Sequence, residues 1–150
     1  MLKSNIANQP CFIGGRFQAG EYTVAKWSVF TLSPVLQFSD QNPGNFVISD
    51  KKITVPKTGY YKISAFCSLI NANFVTGLKI LKYISDDTYY YLGGEMHGGA
   101  MYTFGYAQAL AYLSAGEQIY FGIYCDNNGT IEIKNDPSQM GGFSVEYLGA

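Results

Sequence analysis

Residues 53–69, "ITVPKTGYYKISAFCSL", combine two β-rich runs with a turn that contains proline and glycine. They predict a short strand, a tight break at residues 56–59 and a long second strand. In the long strand, alternate side chains from Tyr61 onward are those that a core requires. The opposite face is half polar but carries Tyr60 and Phe66. Large aromatic side chains on a face expected to be wet indicate a partner surface.

Composition and charge exclude several classes of protein. A chain of 150 residues with 47% apolar and 14% charged residues is expected to form one folded domain. The net charge is −1 and the basic residues are dispersed, so we expect no nucleic-acid partner. No apolar run approaches the roughly 20 residues that span a bilayer, so we expect no membrane insertion. The first residues lack the apolar core of a signal peptide, and none is expected.

Two-residue alternation recurs along the chain, and no segment sustains the 3.6-residue period of a helix. Turn-forming clusters separate the runs, including Asn128-Gly129, a pair typical of type I′ hairpins. About ten short strands without helices predict an antiparallel all-β sandwich or barrel. We expect residues 10–150 to form a single domain after an N-terminal extension of residues 1–9. Strands are predicted at 11–17, 22–32, 46–48, 52–55, 60–69, 76–84, 88–93, 101–113, 118–125, 129–134 and 142–148.

A second aromatic face recurs in two further predicted strands. The strand at 101–113 carries Tyr106 with other tyrosines on the face opposite its small apolar residues. The strand at 118–125 likewise carries Tyr120 opposite an Ile- and Phe-rich face. A monomer has no use for so much exposed aromatic surface, whereas tyrosine suits protein interfaces. The pattern therefore predicts a homo-oligomer.

The three cysteines are odd in number and widely spaced. Cys11, Cys67 and Cys125 form no CxxC pair, which argues against a zinc site or a redox motif. Cys67 and Cys125 lie on the apolar faces of predicted strands. We expect them to be buried free thiols that pack as small hydrophobic residues.

Four ordered motifs resemble one known family, the C1q/tumour-necrosis-factor-like domain. "VPKTGYYKISAFCSL" at 55–69 resembles its central strand, with the pattern V-P-x-x-G-x-Y. "KWSVFTL" at 26–32 followed by "FVISDKKITVP" at 46–56 resembles the approach to that strand, and "LSAGEQIYFGI" at 113–123 is similar to its L-x-x-G-D/E segment. "GGFSVEYLGA" at 141–150 is similar to its final strand. The resemblance covers roughly residues 10–150.

The resemblance implies a ten-stranded jelly roll that assembles as a homotrimer. The chain has no collagen-like stretch and is rich in Tyr, Gly and Asn, so it looks more like a bacterial or bacteriophage member. Such members serve as fibre heads, tail tips or capsid decorations, and a virion or extracellular surface is the expected location. We place Tyr60 near the subunit seam as a hypothesis. By position in the family, the residues towards neighbouring subunits are Ser64, Phe66, Tyr106, Tyr120, Phe143 and Tyr147.

The sequence contains few groups suited to catalysis. Glu95 and His97 lie two residues apart in a Gly-rich segment and are either metal ligands, an acid/base pair or a polar loop. Asp126 and Asn127 supply oxygens of the kind that calcium prefers, and the alternative is a solvated turn. We therefore expect no catalytic residues and no cofactor other than a possible calcium ion near Asp126.

Recognition is the function that remains. Asp86 and Asp87 lie in the predicted loop at 84–88, next to Tyr89 and Tyr90, a combination that suits carbohydrate. We expect a non-enzymatic trimeric module, such as a receptor-binding head of a phage fibre, phage tail or bacterial appendage that engages a cell-surface glycan or protein. The alternative is a structural virion decoration or capping protein without a small ligand, whose partners are other virion proteins. A glycan depolymerase comes third, because it requires a carboxylate pair in a cleft.

Overall fold

The computed structural model describes residues 10–37, 39–71, 74–96, 102–134 and 141–150. These residues form antiparallel strands and contain no helix, which confirms the all-β prediction. There are thirteen strands in the described residues rather than ten, and β4, β5 and β6 have only two or three residues each. The strands are β1 Phe12–Phe17, β2 Gly20–Val24, β3 Ser28–Thr31, β4 Pro34–Val35, β5 Val47–Ser49, β6 Lys52–Thr54, β7 Gly59–Asn71, β8 Thr76–Ser85, β9 Thr88–Gly94, β10 Tyr102–Leu113, β11 Gln118–Cys125, β12 Gly129–Lys134 and β13 Gly142–Gly149.

The first sheet is organised around β7, the long strand of the opening motif. Strand β10 pairs with one edge of β7 along its length, from Tyr112 opposite Tyr60 to Tyr102 opposite Ile70. The other edge is shared, because β13 pairs with the first part of β7 and β12 with its last residues. Strands β1 and β4 continue the sheet beyond β13, and β2 continues it beyond β12.

The second sheet is organised around β11. Strand β8 pairs with one edge of β11, and β9 follows β8. On the other edge β6 pairs near the start of β11 and β3 pairs near its end. Strand β5 pairs with β6. The hairpin between β5 and β6 turns through Asp50 and Lys51, which have φ angles of 50° and 62°.

The core lies between the two sheets. Phe17 of the first sheet contacts Phe121 of the second, with ring centroids 5.3 Å apart. The inward residues of β7, from Tyr61 to Leu69, are buried, as the alternation predicts. Cys67 and Cys125 are free and fully buried, which confirms the prediction for both thiols. Burial raises the pKa of Cys67 to about 12.

The turn before β7 is held by the tyrosine of the V-P-x-x-G-x-Y pattern. The buried Tyr61 hydroxyl donates to the Lys57 carbonyl at 2.6 Å and accepts from the Lys57 N–H at 3.2 Å. Gly59 has a φ of +154°, and a Cβ placed there would lie 2.4 Å from the Gly149 carbonyl oxygen. The hydrogen bonds of the Tyr61 hydroxyl and the lack of room for a Cβ at Gly59 therefore explain why tyrosine and glycine occupy these positions of the motif.

Two local predictions differ from the structure. The predicted strand at 22–32 is divided into β2 and β3, because Trp27 adopts a left-handed φ of 58° between them. Asn128-Gly129 does not form a type I′ turn, since neither residue has a positive φ and β11 does not pair with β12. Instead, the Asn128 side-chain oxygen accepts a hydrogen bond from the Lys26 N–H at 2.8 Å.

Candidate functional site

The outer face of the first sheet carries a band of exposed apolar and aromatic side chains. Its members lie on adjacent strands, since Phe66 is opposite Tyr106 and Tyr60 is opposite Tyr112. The Tyr60 and Tyr112 rings contact each other edge to face, with centroids 5.1 Å apart. We call this band the assembly face. It consists of Tyr60, Phe66, Tyr106, Leu110 and Tyr112, all of which are exposed.

A shallow depression continues the assembly face towards β13. Its volume is about 290 Å³, and it lies between Phe66, Tyr106 and the start of β13. The hydroxyl oxygens of Ser64 and Ser144 lie 2.7 Å apart along it and hydrogen-bond to each other. Because these two hydroxyls pair with each other, the depression suits an apolar side chain.

The predicted interface residues lie in three places, namely the outer face of the first sheet, its inward face and the outer face of the second sheet. Tyr60, Ser64, Phe66 and Tyr106 lie together on the outer face of the first sheet, as predicted from their positions. Whether a second copy covers them stays a prediction.

Three residues of the predicted interface lie elsewhere, which corrects the sequence-based placement. Phe143 is only 5% exposed and contacts Phe121 in the core, because odd-numbered residues of β13 point inward. Tyr147 has the same parity, packs on Tyr61 and donates to the Thr58 carbonyl. Tyr120 belongs to β11 and therefore lies on the outer face of the second sheet.

That outer face of the second sheet carries an aromatic groove of about 590 Å³. It runs across β11, with β3 on one side and the turn between β8 and β9 on the other. The Tyr89 and Tyr120 rings meet edge to face at its centre, with centroids 6.5 Å apart. The side chains that characterise it are Trp27, Asp86, Asp87, Tyr89, Tyr120 and Tyr124.

Trp27 occupies an unusual position at one end of the aromatic groove. It is the chain's single tryptophan, and it is 71% exposed. Its left-handed φ of 58° is rare for a bulky residue. The backbone is held there because the Trp27 N–H donates to the Cys125 carbonyl at 2.8 Å. The Lys26 ammonium lies 4.4 Å from the centre of the indole ring.

A smaller depression of about 230 Å³ adjoins the aromatic groove and shares Asp86 and Tyr120 with it. The Tyr83 hydroxyl donates to the Asp86 carboxylate at 2.9 Å, and this hydrogen bond raises the pKa of Tyr83. The Lys52 ammonium lies 2.9 Å from the Asp50 carboxylate and 4.5 Å from the centre of the Tyr83 ring. Positively and negatively charged side chains therefore alternate along this smaller depression.

The structure brings three of the predicted ligand residues to one place. Asp86, Asp87 and Tyr89 all line the aromatic groove. Tyr90 is the next residue of β9 and points to the other face, where the Lys82 ammonium lies 5.6 Å from its ring centre. Trp27 and Tyr124 were missed by sequence reasoning, although a lone tryptophan beside a lysine is a signal that could have been followed.

The remaining predicted ligand residues lie away from the aromatic groove or outside the described residues. His97 falls outside the described residues, and the Glu95 carboxylate accepts a hydrogen bond from the Tyr106 N–H. The Asp126 carboxylate accepts from the Val75 N–H at 2.9 Å, and the Asn127 side-chain oxygen accepts from the following N–H. The described residues contain no group of three or more His, Cys, Asp or Glu side chains arranged to hold a metal. Calcium near Asp126 stays a prediction.

Across the ranges that the structure describes, no helix has the length and apolarity needed to cross a membrane.

Comparison with known proteins identifies the fold. No protein-family model matches the chain, and no curated protein matches its sequence. Among solved structures, murine APRIL at pH 8.0 is similar, with a TM-score of 0.67 and 16% identity over 92% of this chain and 99% of that one. Eiger TNF from S. frugiperda is similar with a TM-score of 0.66 and 12% identity, over 95% of this chain and 96% of that one. The chain therefore has a tumour-necrosis-factor-like jelly-roll fold.

Proposed function

We propose that the protein is a non-enzymatic homotrimeric recognition module whose copies associate through the assembly face. The observation that carries this proposal is the set of five exposed aromatic and apolar side chains on the outer face of β7 and β10, with only Lys62, Ser64 and Gln108 between them. Exposed apolar patches of this kind mark interaction sites in soluble proteins. Tyrosine provides apolar contact area together with a polar tip, which suits an interface with a wet rim.

A second copy of this chain is the occupant that fits the assembly face best. Phe66 is opposite the exposed Tyr106, and the adjoining depression has room for a side chain from a neighbour, whereas Leu110 is opposite Lys62. Lys62 and Glu146, which are opposite each other in the β7–β13 pair, place both charge signs beside the band. The resemblance to C1q/tumour-necrosis-factor-like domains implies three copies, and a head-to-tail contact that closes on itself forms such a ring.

Recognition is assigned to the other side of the molecule. The aromatic groove lies on the second sheet, so association through the first sheet leaves it accessible. Three copies of a weak site gain avidity, by a factor of roughly 10²–10⁴ when they engage together. We propose that the trimer is a receptor-binding head of a phage fibre or tail, or of a bacterial appendage, displayed on a virion or extracellular surface.

The assembly proposal is tested by changing Phe66 to Asp and measuring solution mass by light scattering. The wild-type protein should have three times the chain mass of 16.5 kDa. Phe66→Asp should give a folded monomer, because the interface would bury an unpaired carboxylate. Val47→Asp is the control, since Val47 is also an exposed apolar residue but lies on the second sheet, and it should remain trimeric.

Two results would reject the assembly proposal. One is a monomeric wild-type protein at micromolar concentration. The other is a Phe66→Asp variant that stays trimeric with unchanged stability. Stable copurification of the monomer with a shell or fibre protein would instead support the structural alternative, in which a virion protein covers the assembly face.

A further inference from the structure

The turn between β2 and β3 holds the backbone of Trp27 in a left-handed conformation. A left-handed φ is unfavourable for a residue with a Cβ, and glycine would adopt it without strain. Nevertheless this position carries the largest side chain, and that side chain is mostly in water. Strained residues that persist in this way concentrate at ligand-binding sites. The exposed indole therefore needs an explanation outside the core.

The position of Trp27 relative to its neighbours supplies that explanation. The indole closes one end of the groove, whose centre is formed by Tyr89, Tyr120 and Tyr124. Tyr120 and Tyr124 are four residues apart on one face of β11, which corresponds to about 13 Å along a strand. A row of rings of that length fits an extended ligand better than a single small one. The groove volume of about 590 Å³ lies within the usual range for ligand sites.

The polar groups of the groove define the chemistry of this ligand. Asp86 and Asp87 present carboxylate oxygens beside the rings and accept hydrogen bonds from hydroxyl groups. Asp86 is itself oriented by the Tyr83 hydroxyl. Carboxylates disfavour an anionic ligand, whereas Lys26 beside the indole and Lys51 in the adjoining depression disfavour a cationic one; Lys52 is paired with Asp50. A neutral ligand with many hydroxyl groups and apolar C–H faces meets all of these conditions.

We infer that the aromatic groove is a binding site for a neutral oligosaccharide, with the sugar faces on Trp27, Tyr89 and Tyr120 and hydroxyl groups bound by Asp86 and Asp87. This inference rests on the proposed recognition function and specifies its ligand class. One copy of the chain already brings the rings and the carboxylates of the groove together. Binding to a single site is therefore independent of association, and only avidity depends on the trimer.

The test uses the single tryptophan as a reporter. The full-length protein is titrated with soluble cello-, malto-, chito- and mannotetraose, and then applied to a wider array of neutral glycans. A ligand should shift the Trp27 emission to shorter wavelength, because the indole passes from water to a covered site. Tyr89→Ala should weaken the binding of that ligand by about tenfold or more, the effect of losing one ring contact.

Two variants separate a binding role from a structural one. Trp27→Gly has no tryptophan, so its binding is measured by titration calorimetry with the same ligand. It should abolish binding without lowering the thermal midpoint, because glycine adopts this φ without strain. Tyr90→Ala is the matched control, since Tyr90 is the adjacent tyrosine on the opposite face of β9, and it should bind as the wild type does. Binding by Trp27→Gly at wild-type strength would overturn the inference.

Other outcomes also overturn it. These are the absence of any signal from the tetrasaccharides and the neutral glycan array, or a shift of Trp27 emission caused only by acidic glycans or by tetramethylammonium. The mass of each sample is measured in parallel. If the wild-type protein is a trimer but binds no glycan, only this inference is rejected. If the wild-type protein is a monomer and binds a glycan, only the assembly proposal is rejected.

Discussion

Removing the Tyr61 hydroxyl tests the physical basis of the turn that precedes β7. Tyr61 is fully buried, and its hydroxyl makes two hydrogen bonds to the backbone of Lys57. Tyr61→Phe keeps the ring, which packs against Phe46 and Tyr147 at centroid distances of 6.0 and 5.3 Å. The variant therefore removes two hydrogen bonds and leaves the volume of the core almost unchanged.

The expected loss follows from the geometry of those two bonds. The bond to the Lys57 carbonyl, at 2.6 Å, is short and within the strong range, and that from the Lys57 N–H, at 3.2 Å, is at the long end. A hydrogen bond contributes about 1 kcal/mol net, and more when the abandoned partner stays shielded from water. We expect the free energy of unfolding to fall by about 2 kcal/mol. For a chain of this size, that corresponds to a thermal midpoint about 4–8 °C lower.

The assay is urea denaturation at one fixed protein concentration, because association makes stability depend on concentration. Tyr147→Phe is the control, since the Tyr147 hydroxyl makes one exposed bond of 3.3 Å to the Thr58 carbonyl. It should lower the free energy of unfolding by less than about 0.5 kcal/mol. If Tyr61→Phe costs no more than Tyr147→Phe, the buried hydroxyl does not hold the turn and the reasoning fails.

Two further predictions concern pH and backbone strain. Burial raises the pKa of Cys67 to about 12 and that of Cys125 to about 11, against an ordinary value of 9.0, so the unfolded chain loses these protons first as pH rises. The thiols' contribution to the free energy of unfolding is therefore complete well below pH 9 and is lost above it, by about 1 kcal/mol per thiol between pH 9 and 10. Urea titrations from pH 8 to 10.5 should show this slope, and the double variant Cys67→Ala/Cys125→Ala should reduce it. An identical slope in the double variant would contradict the assignment. Gly59→Ala should lower the free energy of unfolding by at least about 2 kcal/mol, because it adds a clash with the Gly149 carbonyl to an unfavourable φ. Gly116→Ala is the control and should lower it by about 1 kcal/mol, because Gly116 has a positive φ but open space around it. Equal losses would show that the structure relieves the clash at Gly59.

The alternation in the sequence predicted the parts of the fold in which the two faces of a strand differ clearly. In β7 the inward residues are buried as expected, and the tyrosine and glycine of the opening motif have direct structural roles. In β13 the alternation itself groups Phe143 with Val145 on the apolar face. The family resemblance instead placed Phe143 at an interface, but Phe143 is buried, as the local alternation predicts.

The aromatic groove was only partly predictable, because its members are far apart in the chain. Asp86, Asp87 and Tyr89 are close in sequence and were found together. Trp27 reaches them only because β3 pairs with the end of β11, and Tyr120 only because β8 pairs with its other edge. Alternation shows which residues share the face of one strand, but it does not show which strands are neighbours.

The burial of all three thiols has a consequence for how the protein responds to reductants and oxidants. Cys11, Cys67 and Cys125 are unpaired and enclosed, so no disulfide contributes to the stability of the fold. The fold therefore does not depend on the formation of a disulfide, and a reductant should leave the free energy of unfolding unchanged. Because the folded protein encloses its thiols, contact with an oxidant should modify them only when the chain opens.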